Sequence, residues 1–248
     1  LRSTPRAIPS NLSENQKSLS KIEYVQAVIC GIENCKKMQN LDIEVKILLS
    51  IDRRGSLEEA IDTVEIANKY RNYVVGIDFS GNPNVSEFRS FLTAFQKARE
   101  FGLRITVHTA EIPNSDDTQD ILSFPADRIG HACCLRAEEF KELETLRIPV
   151  EICPTSNLKT RAVTSYEAHP FGKFRKDFQN YPLIICTDDC GVFNVSLSHE
   201  YFSLAKAFKL SKLDLVKIAT SAADWIFADD STKIRLQKKL RDINELLL

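Results

Sequence analysis

The sequence has almost no net charge, no long apolar run and no paired cysteine motif. Its 33 Lys and Arg residues nearly balance 34 Asp and Glu residues, so electrostatics give no reason to expect nucleic acid or an anionic membrane as a partner. No apolar run approaches the roughly 20 residues that span a bilayer, and the first residues lack the layout of a signal peptide. The seven cysteines form no C-x-x-C pair, which favours free thiols in a reducing cytoplasm.

Short apolar or β-branched runs alternate with amphipathic helical patterns along most of the chain. This alternation predicts βαβ units and a parallel sheet, arranged either as a doubly wound sheet or as a barrel. The length of 248 residues is usual for one (β/α)₈ barrel, and no linker composition divides it, so we expect a single domain over residues 1–248. The predicted strands span 43–51, 73–79, 103–109, 128–133, 149–153 and 182–187. The predicted helices include 21–38, 57–71, 85–101, 137–146, 197–208, 213–227 and 231–246, with a polar loop over 7–20.

Polar residues follow nearly every predicted strand at its carboxyl end. In a parallel barrel these ends meet on one rim, and active sites are built there. One polar strand end is compatible with an ordinary turn, whereas six in series predict a functional site. The six are Asp52-Arg53-Arg54, Asp78-Phe79-Ser80-Gly81, His108-Thr109-Ala110-Glu111, Gly130-His131, Thr155-Ser156-Asn157 and Asp188-Asp189.

His108 ends a predicted strand whose alternation turns its side chain toward the barrel interior. A neutral imidazole at that position is a good zinc ligand. Glu111 approaches the same place only if the strand has ended, as Pro113 indicates, and a carboxyl group there can act as a general acid or base. For the H-x-x-E spacing alone, a structural rim histidine beside a solvated glutamate is the more common arrangement.

Asp188 and Asp189 follow the apolar run 183–186. Adjacent carboxylates at a strand end can divide the work, one binding a metal and the other a substrate N–H or a catalytic water. Two like charges so close are costly without a nearby cation, although an Asp pair by itself is most often a helix cap or a turn. His131, after Gly130, is a metal ligand, a base that orients a hydroxide, or a structural residue.

Two hydroxyls and a guanidinium lie within Ser3-Thr4-Pro5-Arg6, after what the pattern indicates is a strand end. The planar donor fork of Arg6 suits phosphate or another oxyanion. An exposed turn is an equally good interpretation of these four residues by themselves. His169 and His199 lie in helical or loop stretches and are interpreted as structural.

Read in order, the strand ends give His-Thr-Ala-Glu, Gly-His-Ala, Cys-Pro-Thr-Ser-Asn and Thr-Asp-Asp-Cys-Gly-Val-Phe. This series resembles the adenosine/AMP deaminase superfamily. The resemblance implies a (β/α)₈ barrel of the metal-dependent hydrolase type, which hydrolyses the C6 amino group of a purine with one zinc ion per subunit, and we expect a monomer. The segments 1–6, 51–54 and 76–83 look most like the adenosine deaminase-like branch, whose members convert N6-methyl-AMP to IMP and an alkylamine.

The resemblance also implies the catalytic roles of the matching residues. His108 and Asp188 would be zinc ligands, and Glu111 would protonate the purine ring. His131 would orient and help activate the attacking water, and Asp189 would contact both that water and the purine. Beyond Glu111 and Asp189, the substrate-binding residues would be Gly81 at the base and, at the phosphate and sugar, Ser3, Thr4, Pro5, Arg6 and Asp52.

One departure from the family concerns its first strand, which carries an H-x-H pair of zinc ligands. This sequence contains no H-x-H and begins with Leu1 rather than Met. We therefore expect an N-terminally truncated barrel that lacks the first strand, exposes two unpaired strand edges and binds zinc weakly. Three functions stay open: an N6-methyl-AMP deaminase, a deaminase of adenosine itself, and an inactive truncated product.

Overall fold

The computed structural model describes residues 1–8, 18–39, 43–178 and 180–247. Residues 9–17, most of the predicted polar loop, lie outside the described residues. The chain forms two compact units, Leu1–Ile105 and Thr106–Leu248; the single domain predicted over 1–248 stays a prediction. In the described part of the chain, no helix is long and apolar enough to cross a bilayer.

The first unit alternates strands and helices, as the sequence pattern predicts. Its elements are β1 (Arg2–Ser3), α1 (Lys21–Gln39), β2 (Ile47–Asp52), α2 (Leu57–Lys69), β3 (Val74–Ser80), a 3₁₀ turn (Phe88–Phe91) and α3 (Leu92–Glu100). β1 pairs in parallel with β2, and β2 in parallel with β3. The register places Asp52 beside Ser80 at the carboxyl end of the β2–β3 pair.

Ser56 starts α2 with a capping box. Its hydroxyl accepts from the backbone N–H of Glu59, and its own backbone N–H donates to the Glu59 carboxylate at 2.9 Å. This pairing satisfies two of the four backbone donors that a helix leaves unpaired at its start. Ala60, Val64 and Ala67 are among the buried residues of the helix that follows.

A cluster of aromatic rings fills the core beside β3. Phe79 is fully buried and packs against Phe88, Phe91 and Phe95 at centroid distances of 5.7, 5.2 and 5.4 Å. The Arg53 guanidinium stacks on the Phe79 ring at 4.2 Å, an arrangement in which the ring face attracts the cation. This packing holds the carboxyl ends of β2 and β3 together.

The second unit contains the four remaining described strands. Its elements are β4 (Arg104–Thr109, which enters the unit at Thr106), α4 (Ser115–Ser123), β5 (Arg128–His131), α5 (Ala137–Leu146), β6 (Val150–Ile152), α6 (Pro154–Lys159), α7 (Phe171–Asp177), β7 (Leu183–Ile185), α8 (Cys190–Phe193), α9 (Leu197–Phe208), α10 (Lys212–Ala222), a 3₁₀ turn (Ala223–Trp225) and α11 (Asp230–Leu247). Each strand pairs in parallel with the next along the chain. Their carboxyl ends therefore share one edge.

Two of the predicted helices, α5 and α9, agree with the structure at both ends. The helix predicted over 85–101 is wrong in its first part, because a 3₁₀ turn precedes α3. Thr155-Ser156-Asn157 follow the carboxyl end of β6, as predicted, and they lie in α6, a helix that the sequence analysis did not predict. Pro154 explains where this helix begins: its fixed φ and missing N–H suit the first position of a helix.

Candidate functional site

The backbone turns sharply after three strands of the second unit. Ala110, His131, Ala132 and Asp188 all have positive φ, between 50° and 62°, a region that costs residues other than glycine about 1 kcal/mol or more. The loops after β4 and β5 hold each other in place, because the N–H groups of Ala132 and Cys133 donate to Thr109 and Ala110. Strained backbone of this kind is concentrated at functional sites.

Glu111 and His131 approach each other at this edge. β4 ends at Thr109, and the left-handed Ala110 redirects the chain, so that Glu111 Oε2 lies 3.8 Å from His131 Nε2. The His108 ring also packs against the His131 ring, with a centroid distance of 5.0 Å. The structure thus brings together His108, Glu111 and His131, which were predicted from two separate strand ends.

Asp188 lies two residues before the start of α8 and is exposed. Its Oδ2 accepts a 2.7 Å hydrogen bond from the Ser156 hydroxyl of α6, which orients the carboxylate. Asp189 occupies the N-cap position of α8, but its side chain makes no capping hydrogen bond. Asp189 is therefore at the helix cap with its backbone only, and its carboxylate is available to a ligand.

Glu200 of α9 is a member of this site that the sequence interpretation missed. Its buried carboxylate accepts from the Thr155 backbone N–H at 3.1 and 3.2 Å and from the Thr155 hydroxyl at 2.9 Å. Burial raises the pKa of this carboxyl group, and the Thr155 hydrogen bonds act in the opposite direction. Glu200 anchors the start of α6, which carries Ser156 and Asn157.

His169, which the sequence analysis interpreted as structural, contacts the site through one residue. Its Nε2 lies 3.1 Å from Asn157 Oδ1, and Asn157 Nδ2 lies 2.9 Å from His131 Nδ1. All three side chains are buried. The sequence signal for this connection was the polarity of residues 155–157, which contact this site from a helix rather than from a strand end.

The donor atoms near Asp188 have the chemistry of a zinc site. One ligand atom each from His131, Cys153 and Asp188 lie within 4.8 Å of one another, and imidazole nitrogen, thiolate and carboxylate are the donors that zinc takes. A hydrogen bond with Cys186, followed by burial, raises the pKa of the Cys153 thiol well above its usual value. The donor types fit zinc, and the number of predicted ligands, His108 and Asp188, falls short of three.

In the first unit, a cavity of about 510 Å³ lies at the carboxyl end of β2. Thr4, Pro5, Arg6 and Asp52 line it, as the sequence predicts for one site. Arg6, Lys21 and Arg54 contribute three cations against the carboxylates of Asp52 and Glu59, which leaves one formal positive charge. The first turn of α2 borders the same cavity at residues 55–56, where a helix start favours anions.

Ser3 and Gly81 do not line this cavity. The Ser3 hydroxyl lies 2.9 Å from the Tyr24 hydroxyl of α1, so it anchors β1 to that helix. Gly81 packs behind Asp52: a Cβ placed on it would lie 2.5 Å from Asp52 Oδ1. Arg54 binds the Asp52 carboxylate through its Nε at 2.9 Å, and this hydrogen bond is the main reason that the pKa of Asp52 is lowered.

Replacing Gly81 with alanine should destabilise the first unit and displace Asp52. Gly81 has φ +101°, a conformation that L-residues rarely adopt, and the added methyl group meets a carboxylate oxygen. We expect a loss of about 2 kcal/mol in the free energy of unfolding, measured by urea denaturation. The control Gly31→Ala, at an α1 position with open space around it, should be neutral or stabilising; equal losses in the two variants would contradict this explanation.

The sequence matches the adenosine deaminase family over residues 3–243. The chain belongs to the adenosine deaminase family. It is therefore an enzyme of the hydrolytic deaminase class. Among curated proteins, it is 40% identical to the N6-mAMP deaminase of Arabidopsis thaliana over 96% of this chain and 70% of that protein. It is 38% identical to the human N6-methyl-AMP deaminase over 100% of this chain and 70% of that protein.

Solved structures of adenosine deaminase family members agree with this assignment. A crystal structure of Arabidopsis ADAL complexed with IMP superposes with a TM-score of 0.88 at 40% identity, covering 97% of this chain and 70% of that one. An adenine deaminase from Arthrobacter aurescens superposes with a TM-score of 0.82 at 19% identity, over 92% of this chain and 69% of that one, and shows the shared fold alone. The family and these matches confirm the predicted (β/α)₈ barrel class.

Proposed function

We propose that this adenosine deaminase family member is a zinc-dependent hydrolase that converts N6-methyl-AMP and water to IMP and methylamine. The observation that carries the proposal is the approach of Glu111 Oε2 to within 3.8 Å of His131 Nε2 at a strained strand end. Relatives 36–40% identical over nearly the whole chain are named N6-methyl-AMP deaminases. A monomer in the cytoplasm is part of the same proposal.

The reaction needs a proton donor, an oriented water and a way to hold the purine. Oxygen of the water attacks C6 while Glu111 protonates the ring nitrogen that accepts the displaced electrons. The C6–N bond then breaks, and methylamine leaves with a proton. His131 and Asp189 orient the water, and a side chain within hydrogen-bond reach of the reacting group is what such catalysis requires.

Zinc fits this proposal through the donor chemistry of the site. His108 and Asp188 are the assigned ligands, and Ser156 holds the Asp188 carboxylate in one orientation. When bound, zinc lowers the pKa of water to about 7 and so supplies hydroxide at neutral pH. The other steps rest on residues of the chain itself.

The cavity in the first unit supports a nucleotide over a nucleoside. Its residues include the segment 4–6 and Asp52, which we assign to the phosphate and sugar. The Arg6 side chain is 61% exposed and its Nη2 lies 3.6 Å from Asp52 Oδ2, a long contact that leaves most of its donors available. Arg6 can therefore form a charge-assisted pair with a phosphate.

Arg6→Ala should discriminate a phosphorylated ligand from an unphosphorylated one. A charge-assisted hydrogen bond contributes about 1.5–3 kcal/mol, so we expect the affinity for IMP to fall about 10- to 100-fold and the affinity for inosine to stay unchanged. Isothermal titration calorimetry with both ligands measures this. The control Arg89→Ala removes an exposed arginine that pairs with Glu87 and should change neither affinity.

Two outcomes would count against the proposal. If Arg6→Ala weakens inosine and IMP equally, Arg6 does not hold the phosphate and the nucleoside becomes the better substrate. If the unaltered chain binds neither ligand, and releases no methylamine from N6-methyl-AMP with zinc supplied, the deaminase assignment fails and the inactive product is the better interpretation.

A further inference from the structure

A continuous chain of hydrogen bonds leads from the backbone of α7 to the candidate catalytic histidine. The backbone N–H of Phe171 donates to His169 Nδ1 at 3.1 Å. His169 Nε2 lies 3.1 Å from Asn157 Oδ1, and Asn157 Nδ2 lies 2.9 Å from His131 Nδ1. All three side chains are no more than 2% exposed. Each polar atom in this series of hydrogen bonds must therefore find its partner within the protein.

The donor and acceptor of every hydrogen bond in this series follow from the first one, in which the Phe171 N–H donates to His169 Nδ1. A backbone N–H can only donate, so His169 Nδ1 carries no proton and the neutral ring must carry its proton on Nε2. That N–H donates to the amide oxygen of Asn157, and the amide nitrogen, which can only donate, faces His131 Nδ1. His131 Nδ1 is therefore an acceptor without a proton.

The opposite orientation of the Asn157 amide is excluded by the same count. Its NH₂ group would then point at His169 Nε2, which would have to accept. Since His169 Nδ1 already accepts from Phe171, the ring would carry no proton on either nitrogen. That ring would be an imidazolate, whereas a neutral imidazole always keeps one N–H.

The surroundings of His169 keep this arrangement in the neutral state. Burial, followed by the nearby His131, lowers the pKa of His169 to about 4. Cys133 Sγ lies 4.0 Å from His169 Nε2, and burial raises the pKa of this thiol, so the neighbouring sulfur is uncharged at neutral pH. Nothing in these contacts favours a second proton on His169.

We propose that Asn157 and His169 are positioning residues that hold neutral His131 with its proton on Nε2, so that His131 serves the reaction as a hydrogen-bond donor and not as a base. Its Nε2 faces Glu111 Oε2 at 3.8 Å, a carboxylate that an N–H attracts and a lone pair would repel. The role of His131 in the reaction rests on the proposed function; the tautomer does not. Proton transfer then falls to the carboxylates of the site, Glu111 and Asp189.

The tautomer can be measured directly in the unaltered chain, because it contains only four histidines. The protein is labelled with ¹⁵N-histidine, and a two-dimensional ¹H–¹⁵N spectrum correlates each ring nitrogen with the carbon-bound ring protons. The nitrogen chemical shifts distinguish a protonated nitrogen from an unprotonated one. At pH 8, above the ordinary imidazole pKa of about 6.5, we expect both His131 and His169 to carry the proton on Nε2 alone. A proton on His131 Nδ1 would overturn the proposal without any variant.

Asn157→Asp provides the matched perturbation, because it keeps the shape of the side chain and replaces the only donor by an acceptor. We expect His131 Nδ1 to become protonated in this variant while His169 keeps its Nε2 proton. Asn72→Asp makes the same change at an exposed position in the first unit and should leave all four histidine spectra unaltered. A folded Asn157→Asp protein with an unprotonated His131 Nδ1 would refute the proposed positioning of His131 by Asn157 and His169.

The two proposals fail separately. Loss of IMP binding and of methylamine release, with the Nε2 tautomer observed, would refute the deaminase function and leave the proposed positioning of His131 intact. Normal IMP binding with a proton on His131 Nδ1 would refute the proposed positioning of His131 and leave the deaminase function intact.

Discussion

A protein made of these 248 residues should retain much less than one zinc ion per chain after dialysis, and its turnover of N6-methyl-AMP should be low until zinc is added. A catalytic zinc site normally has three protein ligands besides its water. The residues assigned here are His108 and Asp188, and no H-x-H pair occurs in the sequence. Each missing ligand removes a bond that holds the ion, so the affinity should lie orders of magnitude below that of a complete site. Elemental analysis and a competition titration with a metal indicator measure zinc content and affinity.

Asp188→Asn is the informative variant in this experiment. It removes the carboxylate that Ser156 orients and should abolish the remaining zinc binding. Asp116→Asn, at an exposed position in the first turn of α4, should leave zinc binding as it is. One tightly held zinc ion per chain, with turnover similar to that of the related deaminases, would show that His108 and Asp188 are not the only zinc ligands. His131 and Cys153 would then be the next candidates.

Glu200→Ala should lower the free energy of unfolding by about 3 kcal/mol. The variant removes the buried Glu200 carboxylate, to which the Thr155 backbone N–H and hydroxyl both donate. The hydroxyl can still pair with the Tyr166 hydroxyl at 2.9 Å, whereas the backbone N–H loses its acceptor; hydrogen bonds to charged groups contribute about 1.5–3 kcal/mol each. For a chain of this size, the corresponding fall in Tm is roughly 6–12 °C. Thermal and urea unfolding measure it. Ser156 and Asn157 would also lose their fixed positions, since Glu200 anchors the first turn of α6.

The matched control is Glu200→Gln, whose amide oxygen can still accept from Thr155. Its cost should stay below about 1 kcal/mol, because the shape and the acceptor are kept while the buried charge is removed. Equal losses for Ala and Gln would show that the charge, and not the hydrogen bonds, stabilises the start of α6. An Ala variant as stable as the unaltered protein would remove the anchoring role altogether.

Local patterns predicted the elements of the fold with few errors. Apolar alternation located β2 to β7, and the spacing of apolar residues located α2, α5, α9 and α10, because these signals depend on neighbours a few residues apart. The helix predicted over 85–101 was wrong in its first part, where residues 88–91 form a 3₁₀ turn. The short helix that begins at Pro154, directly after β6, was not predicted.

Part of the candidate site followed from the same reasoning. Parallel strands place their carboxyl ends on one edge, which is why His108, Glu111 and His131 could be expected near each other before any geometry was known. The cavity beside Asp52 and residues 4–6 followed from the order of motifs along the chain. Glu200 and His169 did not follow, because each acts through a contact 12 or more residues away in sequence, and no local pattern encodes such a contact.

The sequence by itself determined the class of this protein: its order of polar strand ends is that of the adenosine deaminase family, and its four histidines limit the metal ligands that the chain can offer. Only the tertiary structure decided how those residues are held. The orientation of the Asp188 carboxylate, the proposed zinc ligand, depends on Ser156 of α6, and the proposed proton position on His131 depends on a backbone N–H at Phe171. The physical reason is that residue identity sets which donors and acceptors exist, whereas packing sets which of them meet.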